Sequence, residues 1–325
     1  MTALAGIATN AYTEAIRQPI YAVMLLAVCA LLVLNPALTA RHTISQTGDE
    51  FDKLLIDLGL SLELVAGLVL ASFVAAGVLS RELDNRTALT VISKPVGRPV
   101  FILGKFVGVL AAVALAYWIW SLVFLLTVRH RVLHNARMPY DWPVIAYGGA
   151  APALSLVAAV WCNFFYRWVF GATLATWLGA LLPVAYLGVL ATSREWAVQA
   201  LGTDWNPQLA IAILLVFEAL AVIVAIAVAV STRLGPALTL VACALAFVLG
   251  TTSDFFLGRY ADTSFAMRVA YALPLNTQFH WLADALSQGH PVSVEYVMLV
   301  TLYSAAYATA ALAVAVALFQ TREIG

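Results

Sequence analysis

The feature that most constrains this chain is a succession of apolar runs, each close to the length a helix needs to cross hydrocarbon. A bilayer core about 30 Å thick takes roughly 20 residues as a helix, which satisfies its own backbone where no water can. Eight such runs lie near residues 20–40, 58–79, 100–127, 144–162, 169–192, 209–230, 236–252 and 294–319. Composition agrees, since 63% of the residues are hydrophobic and only 10% charged, against about 25% charged in a soluble domain. The expected fold is therefore all-α: a polytopic integral membrane helical bundle of about eight spans, forming one domain over residues 1–325. Pro152, Pro183 and Pro236 sit in or beside the fourth, fifth and seventh runs. Six spans plus a re-entrant pair is the alternative, because proline breaks the helical hydrogen-bond ladder.

Zero net charge gives no global basic field for nucleic acid. The three cysteines, Cys29, Cys162 and Cys243, all fall in apolar runs without metal-ligand spacing and read as small hydrophobes rather than a disulfide framework. The first apolar run resembles a secretory signal, and "ALTA" before Arg41 a cleavage site. Residues 1–19 carry only Glu14 and Arg17, however, and the run exceeds the usual apolar core of about 7–15 residues. The first span is expected to be retained.

Lys and Arg near span ends set orientation. With the N-terminus inside, the cytoplasmic set is Arg17, Arg81, Arg86, Lys94, Arg98, Lys105, Arg167, Arg233 and Arg322, and the opposite set is Arg41, Lys53, Arg129, Arg131, Arg137, Arg194, Arg259 and Arg268. Nine cations in short loops against eight in longer, acid-rich segments give N-in and C-in, with Arg129 and Arg131 pulling the other way. Before the first span, "TNAYTEAIRQPIY" places Ala11, Ala15 and Ile16 at helical spacing, with Thr9 or Asn10 as cap and Pro19 as stop. This predicts a short interfacial helix within residues 1–19, flanked by Glu14 and Arg17, on the inner membrane face. Residues 41–57 and 255–291 are too polar to span and too short for another domain.

Between the second and third runs stands "SRELDNRTALTVISKPVGRPVFILGKF". Residues 82–93 suit a short helix ending at Lys94, because a residue before proline is pushed out of the helical region and Pro95 follows. Leu83, Leu89 and Ile92 share one arc, with Arg81, Asp84 and Arg86 largely on the other. After Pro95 and Gly97 the chain re-enters lipid, with Arg98 and Lys105 able to reach headgroups. Gly104 and Gly108 form a small-xxx-small face that lets another helix approach closely. A positively charged loop that only fixes topology needs charge alone. This one adds an apolar face, a proline stop and threonines at 87 and 90.

That segment resembles the link between the second and third spans of ABC-2 type transporter permeases, where an acidic residue, a threonine a few positions on, "KP" or "RP" with a nearby arginine, and "GK" recur. "TNAYTEAIRQPIYAVMLL" is similar to the family's amphipathic leading helix and "ALFQTREIG" to its charged end. The resemblance follows the whole layout but is specific over only about fifty residues, and an extra hydrophobic pair around 209–252 departs from the usual six spans. It implies that Glu82–Lys94, within a cytoplasmic segment 81–99, is a coupling helix docked on a separate ATPase. Leu83, Leu89 and Ile92 would make the contact, with Thr87 packing on Leu83. Glu82 and Arg86 would orient it, and Thr90, Lys94 and Pro95 would complete the segment. It further implies two ATPase subunits, a second permease copy, export, and residence among the lipids of a bacterial cytoplasmic (inner) membrane.

Other motifs yield to simpler readings. "GRPVFILGKF" has six residues between its glycines where a phosphate loop has four, and Phe106 stands where a hydroxyl belongs. No nucleotide site, cofactor or enzymatic activity is expected of this chain. Glu63 lies about one turn inside its run and can reach the outer headgroups, whereas Glu218 is near mid-membrane and needs a protein partner or a water-filled path. His130 and His134 have the i, i+4 spacing of a metal pair, but Asp141 lies beyond Pro139 and no third ligand is evident, so no metal is expected. Tyr117, Trp118, Trp120, Trp161, Tyr166 and Trp168 read as interface aromatics or packing residues. An ion-coupled secondary transporter using Glu63 and Glu218 is the alternative function, although the halves show no convincing repeat. A membrane-embedded lipid or sugar transferase is the third, and it lacks clustered acids or histidines at a span end.

Overall fold

A computed structural model describes residues 3–42, 48–84, 97–131, 140–282 and 291–320. Among the described residues there are ten α-helices and no strand: α1 Ala3–Ile16, α2 Pro19–His42, α3 Gly48–Asp84, α4 Arg98–His130, α5 Trp142–Tyr166, α6 Phe170–Leu190, α7 Pro207–Ser231, α8 Pro236–Leu257, α9 Phe265–Ala272 and α10 Val294–Gln320. Eight of them, all but α1 and α9, are long and apolar enough to cross a membrane. The protein is a polytopic helical bundle.

Prolines begin these spans rather than break them. Pro99, Pro143, Pro207 and Pro236 occupy the first turns of α4, α5, α7 and α8, where a missing N–H removes no helical bond. Asp141 caps α5 by accepting from the Val144 N–H, and Asn206 caps α7 by accepting from Gln208 and Leu209. Pro152 and Pro183 lie inside α5 and α6, which nonetheless run through them. The alternative of six spans and a re-entrant pair is therefore not the observed arrangement.

The core is α3, α4 and α7, with α2, α5, α6, α8 and α10 around them. Aromatic donors join the helices, each reaching a neighbour's backbone carbonyl. Tyr21 Oη donates to Ala112 (2.9 Å), Tyr117 Oη to Ile213 (2.7 Å) and Trp120 Nε1 to Leu25 (3.2 Å). With no water at that depth, a buried hydroxyl or indole N–H must find such an acceptor. The α5–α6 hairpin turns in three residues, with Arg167 in the left-handed region (φ 56°) at the end of α5. Its exposed Trp161, Tyr166 and Trp168 cluster at this turn, whereas Tyr117 and Trp120 are core residues.

The helix ends fall into two groups. Arg98 Nη1 donates to the Gln320 carbonyl (2.9 Å) and Arg233 Nη2 to that of Leu318 (2.7 Å), which gathers the starts of α4 and α8 with the end of α10. At the opposite end the Val292 N–H donates to Gln208 Oε1 (3.0 Å), joining the starts of α7 and α10.

Two expectations change. Helix α1 begins at Ala3, so Thr9 is no cap; its hydroxyl donates back to the Ala5 carbonyl (2.8 Å). The residues buried on α1 are nevertheless Ala11, Ala15 and Ile16. Helix α3 begins at Gly48, ten residues before its apolar run, because a helix can continue beyond hydrocarbon wherever its side chains are solvated. The described parts of the polar 41–57 stretch, residues 41–42 and 48–57, are thus helical. Helix α7, one of the pair beyond the usual six spans, is central in the bundle, packed on α3, α4, α8 and α10, while the α5–α6 hairpin forms part of the rim.

Candidate functional site

Of the predicted coupling residues, Glu82 and Leu83 lie in the last turn of α3, whose helix continues through Asp84. Arg86, Thr87, Leu89, Thr90, Ile92, Lys94 and Pro95 lie outside the described residues. What is described is the platform. The segment joins α3 directly to α4, two of the most enclosed helices in the bundle. Alongside it α1 lies against the start of α4 at Gly104 and Gly108. A Cβ on Gly108 would meet the Ala8 carbonyl at 2.4 Å and the Ala11 Cβ at 2.6 Å, and one on Gly104 would meet Ile7 at 2.7 Å. Close backbone contact there needs both glycines.

That contact also encloses Lys105. Expected to reach headgroups, it is 1% exposed, with its ammonium 5.6 Å from the Phe101 ring centroid. Phe101 in turn stacks on Phe319 of α10 at 5.4 Å. The Lys105 side chain is therefore enclosed in the bundle and does not reach the headgroups. Glu14 is half-buried and Arg17 exposed at the end of α1.

The two carboxyls within the spans turn to different neighbours. Glu63 is fully buried, and Ser121 Oγ of α4 donates to its Oε2 at 3.2 Å. Its side chain is turned into the bundle against α4, so it does not reach the headgroups. Its Oε1 has no hydrogen-bond partner among the described residues. Glu218 of α7 instead accepts from Thr301 Oγ1 of α10 at 2.7 Å. Glu63 belongs to the α3–α4 contact and Glu218 to the α7–α10 contact, so no hydrogen-bonded chain of described residues joins them.

At the end holding the α4–α5 and α6–α7 connections, charges converge. Arg129 pairs with Asp141 (3.3 Å) and Asp204 (3.4 Å), and Arg194 with Asp141 (3.4 Å). Arg129 also donates to the Val189 carbonyl and, at 2.6 Å, to that of Thr192. The fully buried Asp141 is thus a helix cap and an ion-pair centre at once. Beside it opens a cleft of about 630 Å³ lined by Asp52, Arg129, Arg131, Arg194 and Asp204. Asp141 is committed to this network, His134 lies outside the described residues, and no group of three metal-ligating side chains occurs among those described.

The same end holds an inward-folded turn between α9 and α10. A Cβ on Gly250 would lie 1.8 Å from the Leu275 carbonyl oxygen, about 10 Å below the end of α8 at 1.5 Å per residue. Leu275, Asn276, Thr277 and His280 are all buried. Asn276 Oδ1 accepts from Ser253, the Asn276 N–H donates to Tyr303 Oη (3.0 Å), and His280 Nε2 bonds Ser304 Oγ (2.8 Å). Burial lowers the His280 pKa from 6.5 to about 4, so the docked imidazole is neutral at ordinary pH. Sequence reading passed over this turn and the Arg129–Asp141–Asp204 network. Pro274 and Asn276 were its only local signal, and the partners of the network lie far apart in the chain.

No protein-family model matches the chain. Nor does any curated protein.

Proposed function

We propose that this chain is the permease subunit of an ABC-2 type transporter of a bacterial cytoplasmic membrane. It would move substrate, in the export direction, with ATP hydrolysed by two copies of a separate ATPase subunit and with a second permease copy as its partner. The observation that carries this reading is the attachment of the 85–97 segment: its two ends are the core helices α3 and α4, braced by α1 across Gly104 and Gly108. A push on a loop hung from rim helices would be absorbed by lipid. A push on this one reaches the centre of the bundle. Residues of the segment are also the ones that carry the resemblance in sequence, Glu82, Leu83, Arg86, Thr87, Leu89, Thr90, Ile92, Lys94 and Pro95.

An N-in, C-in orientation fits the charges. The end bearing Arg17, Arg98, Arg167 and Arg233 is then cytoplasmic, and on the other side Arg129 and Arg194 are held by Asp141, which removes the awkwardness of Arg129 as a topology signal. Ion-coupled secondary transport rests on Glu63 and Glu218, which turn to separate helix pairs and offer no common relay.

The test is co-purification. The tagged full chain, expressed with its genomic neighbours, should bring down an ATPase whose hydrolysis rises in its presence. Leu83→Asp or Glu82→Arg should break that association while the bundle's melting temperature stays within a few degrees. Substrate movement driven by an ion gradient, with no ATP and no partner, would overturn the reading.

A further inference from the structure

The cleft beside Asp141 lies where the core helices α3, α4 and α7 meet the 191–206 connection, at the end of the bundle opposite segment 85–97. Its volume of about 630 Å³ falls within the range of small-molecule sites, roughly 300–1,000 Å³. The charges around it divide into those already spent on the fold and those left over.

The spent set is closed and neutral. Arg129 and Arg194 share Asp141 Oδ2 at 3.3 and 3.4 Å, and Arg129 also reaches Asp204 at 3.4 Å. Gln199 Nε2 donates to Asp204 (2.6 Å), and Arg194 Nη2 donates to the Arg129 carbonyl (3.1 Å). Two guanidiniums and two carboxylates thus answer one another and leave little net charge for a ligand.

The leftover set is one cation and one anion. Arg131 and Asp52 both line the cleft, and neither side chain makes an ion pair or hydrogen bond among the described residues. Asp52 stands on the polar leading turns of α3, ahead of its apolar run. Arg131 follows the end of α4 at φ 65° and ψ 179°, a backbone conformation that favours glycine, and such strain persists only where the surrounding structure imposes it. The same cleft is lined by Leu55, Ile56, Leu125 and Leu209, and by the rings of Tyr186 and Trp205, 6.5 Å apart.

An anion alone would pair with Arg131 and bring its charge into a cleft that also holds Asp52, and a cation alone would do the reverse. Like charges brought together in this way reject a ligand. A molecule with both an ammonium and an oxyanion satisfies both residues, and the leucines and rings can receive its apolar part. We infer that this cleft binds a zwitterion, with its oxyanion at Arg131 and its ammonium at Asp52. A free amino acid and an ethanolamine phosphodiester headgroup share that chemistry. The inference stands apart from the ATPase-driven reading, because binding here needs neither ATP nor a partner.

Calorimetry on the purified full chain, in a non-ionic detergent at pH 7, tests it with matched probes. Leucine is compared with N-acetylleucine, which keeps only the oxyanion, and leucinamide, which keeps only the ammonium. Glycerophosphoethanolamine is compared in the same way with glycerophosphoglycerol and ethanolamine. In one of these sets the zwitterion should bind saturably and at least about tenfold more tightly than either half, as a charged hydrogen-bonded contact at each end implies. The set that does so tells a free amino acid from a lipid headgroup. Arg131→Gln should bring that zwitterion down to the level of its ammonium half, and Asp52→Asn to the level of its oxyanion half. Without probe, both variants should melt within a few degrees of the unaltered chain, since neither side chain is bonded to the bundle. If no zwitterion binds more tightly than its halves, the site is overturned. An oxyanion half as tight as the zwitterion would remove Asp52 from it, and variants that weaken every probe equally would overturn the assignment of both residues.

Discussion

Two pairs of helical glycines in this molecule do opposite things. Gly104 and Gly108 on α4 are filled by α1, down to 2.4 Å between a hypothetical Cβ and a backbone oxygen. Gly148 and Gly149 on α5 face a groove, with open space beside Gly149. Small residues in a membrane helix permit close approach, but they do not compel it. Whether a helix arrives depends on what the rest of the chain can deliver. Here a short amphipathic helix tethered just before the first span is delivered to α4, and among the described residues nothing is delivered to Gly149 of α5.

The sharpest way to test the packed class uses its tightest member, Gly250. Alanine there must displace the Leu275 carbonyl, a backbone atom 1.8 Å away that no rotamer change can move. Gly250→Ala should cost at least about 3 kcal/mol, the upper part of the overpacking range, read as a lower melting temperature in detergent. Gly108→Ala comes next at about 2–3 kcal/mol, since the Ala8 carbonyl and Tyr12 N–H lie at 2.4 and 2.9 Å. Gly104→Ala should cost about 1–2 kcal/mol, because it meets Ile7 Cγ2 and Cβ at 2.7 and 2.8 Å, which only a shift of α1 can relieve, but approaches backbone no closer than 3.4 Å. If all three cost the same, close approach is not what these glycines are for.

The turn that Gly250 admits has a second handle, pH. His280 is docked neutral, with its pKa lowered to about 4 from 6.5. The unfolded chain takes up a proton near pH 6.5 that the folded chain refuses until about pH 4. Its stability contribution is therefore complete above pH 6.5 and declines as pH falls from 6.5 toward 4, by up to about 3 kcal/mol. Between pH 8 and pH 4.5 His280 pulls the melting temperature down on the acid side, and His280→Gln should remove that component of the slope. An unchanged slope in the variant would remove His280 as its cause.

Much of this architecture was legible because hydropathy is a local property. Each apolar run became one helix, and Ala11, Ala15 and Ile16 of α1 were readable from spacing alone. What escaped was either polar helix or distant partnership. Residues 48–57 are too polar to read as part of a span, yet they belong to α3, and Glu63, one turn inside the apolar run, is fully buried against Ser121 of α4 instead of reaching the headgroups. Lys105 reads as an interfacial cation, yet it is buried in the bundle beside the Phe101 ring. Arg129 with Asp204, and His280 with Ser304, are contacts between segments that only the packed bundle brings together.

The smallest effect tests the open class most directly. At Gly149 an added methyl meets nothing, so the overpacking term vanishes and only helix propensity remains. Gly149→Ala should stabilise the bundle by about 0.5–1 kcal/mol, the opposite sign to Gly108→Ala in the same melting assay. A destabilisation would mean that something already occupies the groove and is sterically opposed by one methyl group. That outcome would make the two glycine pairs alike after all, with a ligand taking the place that α1 takes on α4.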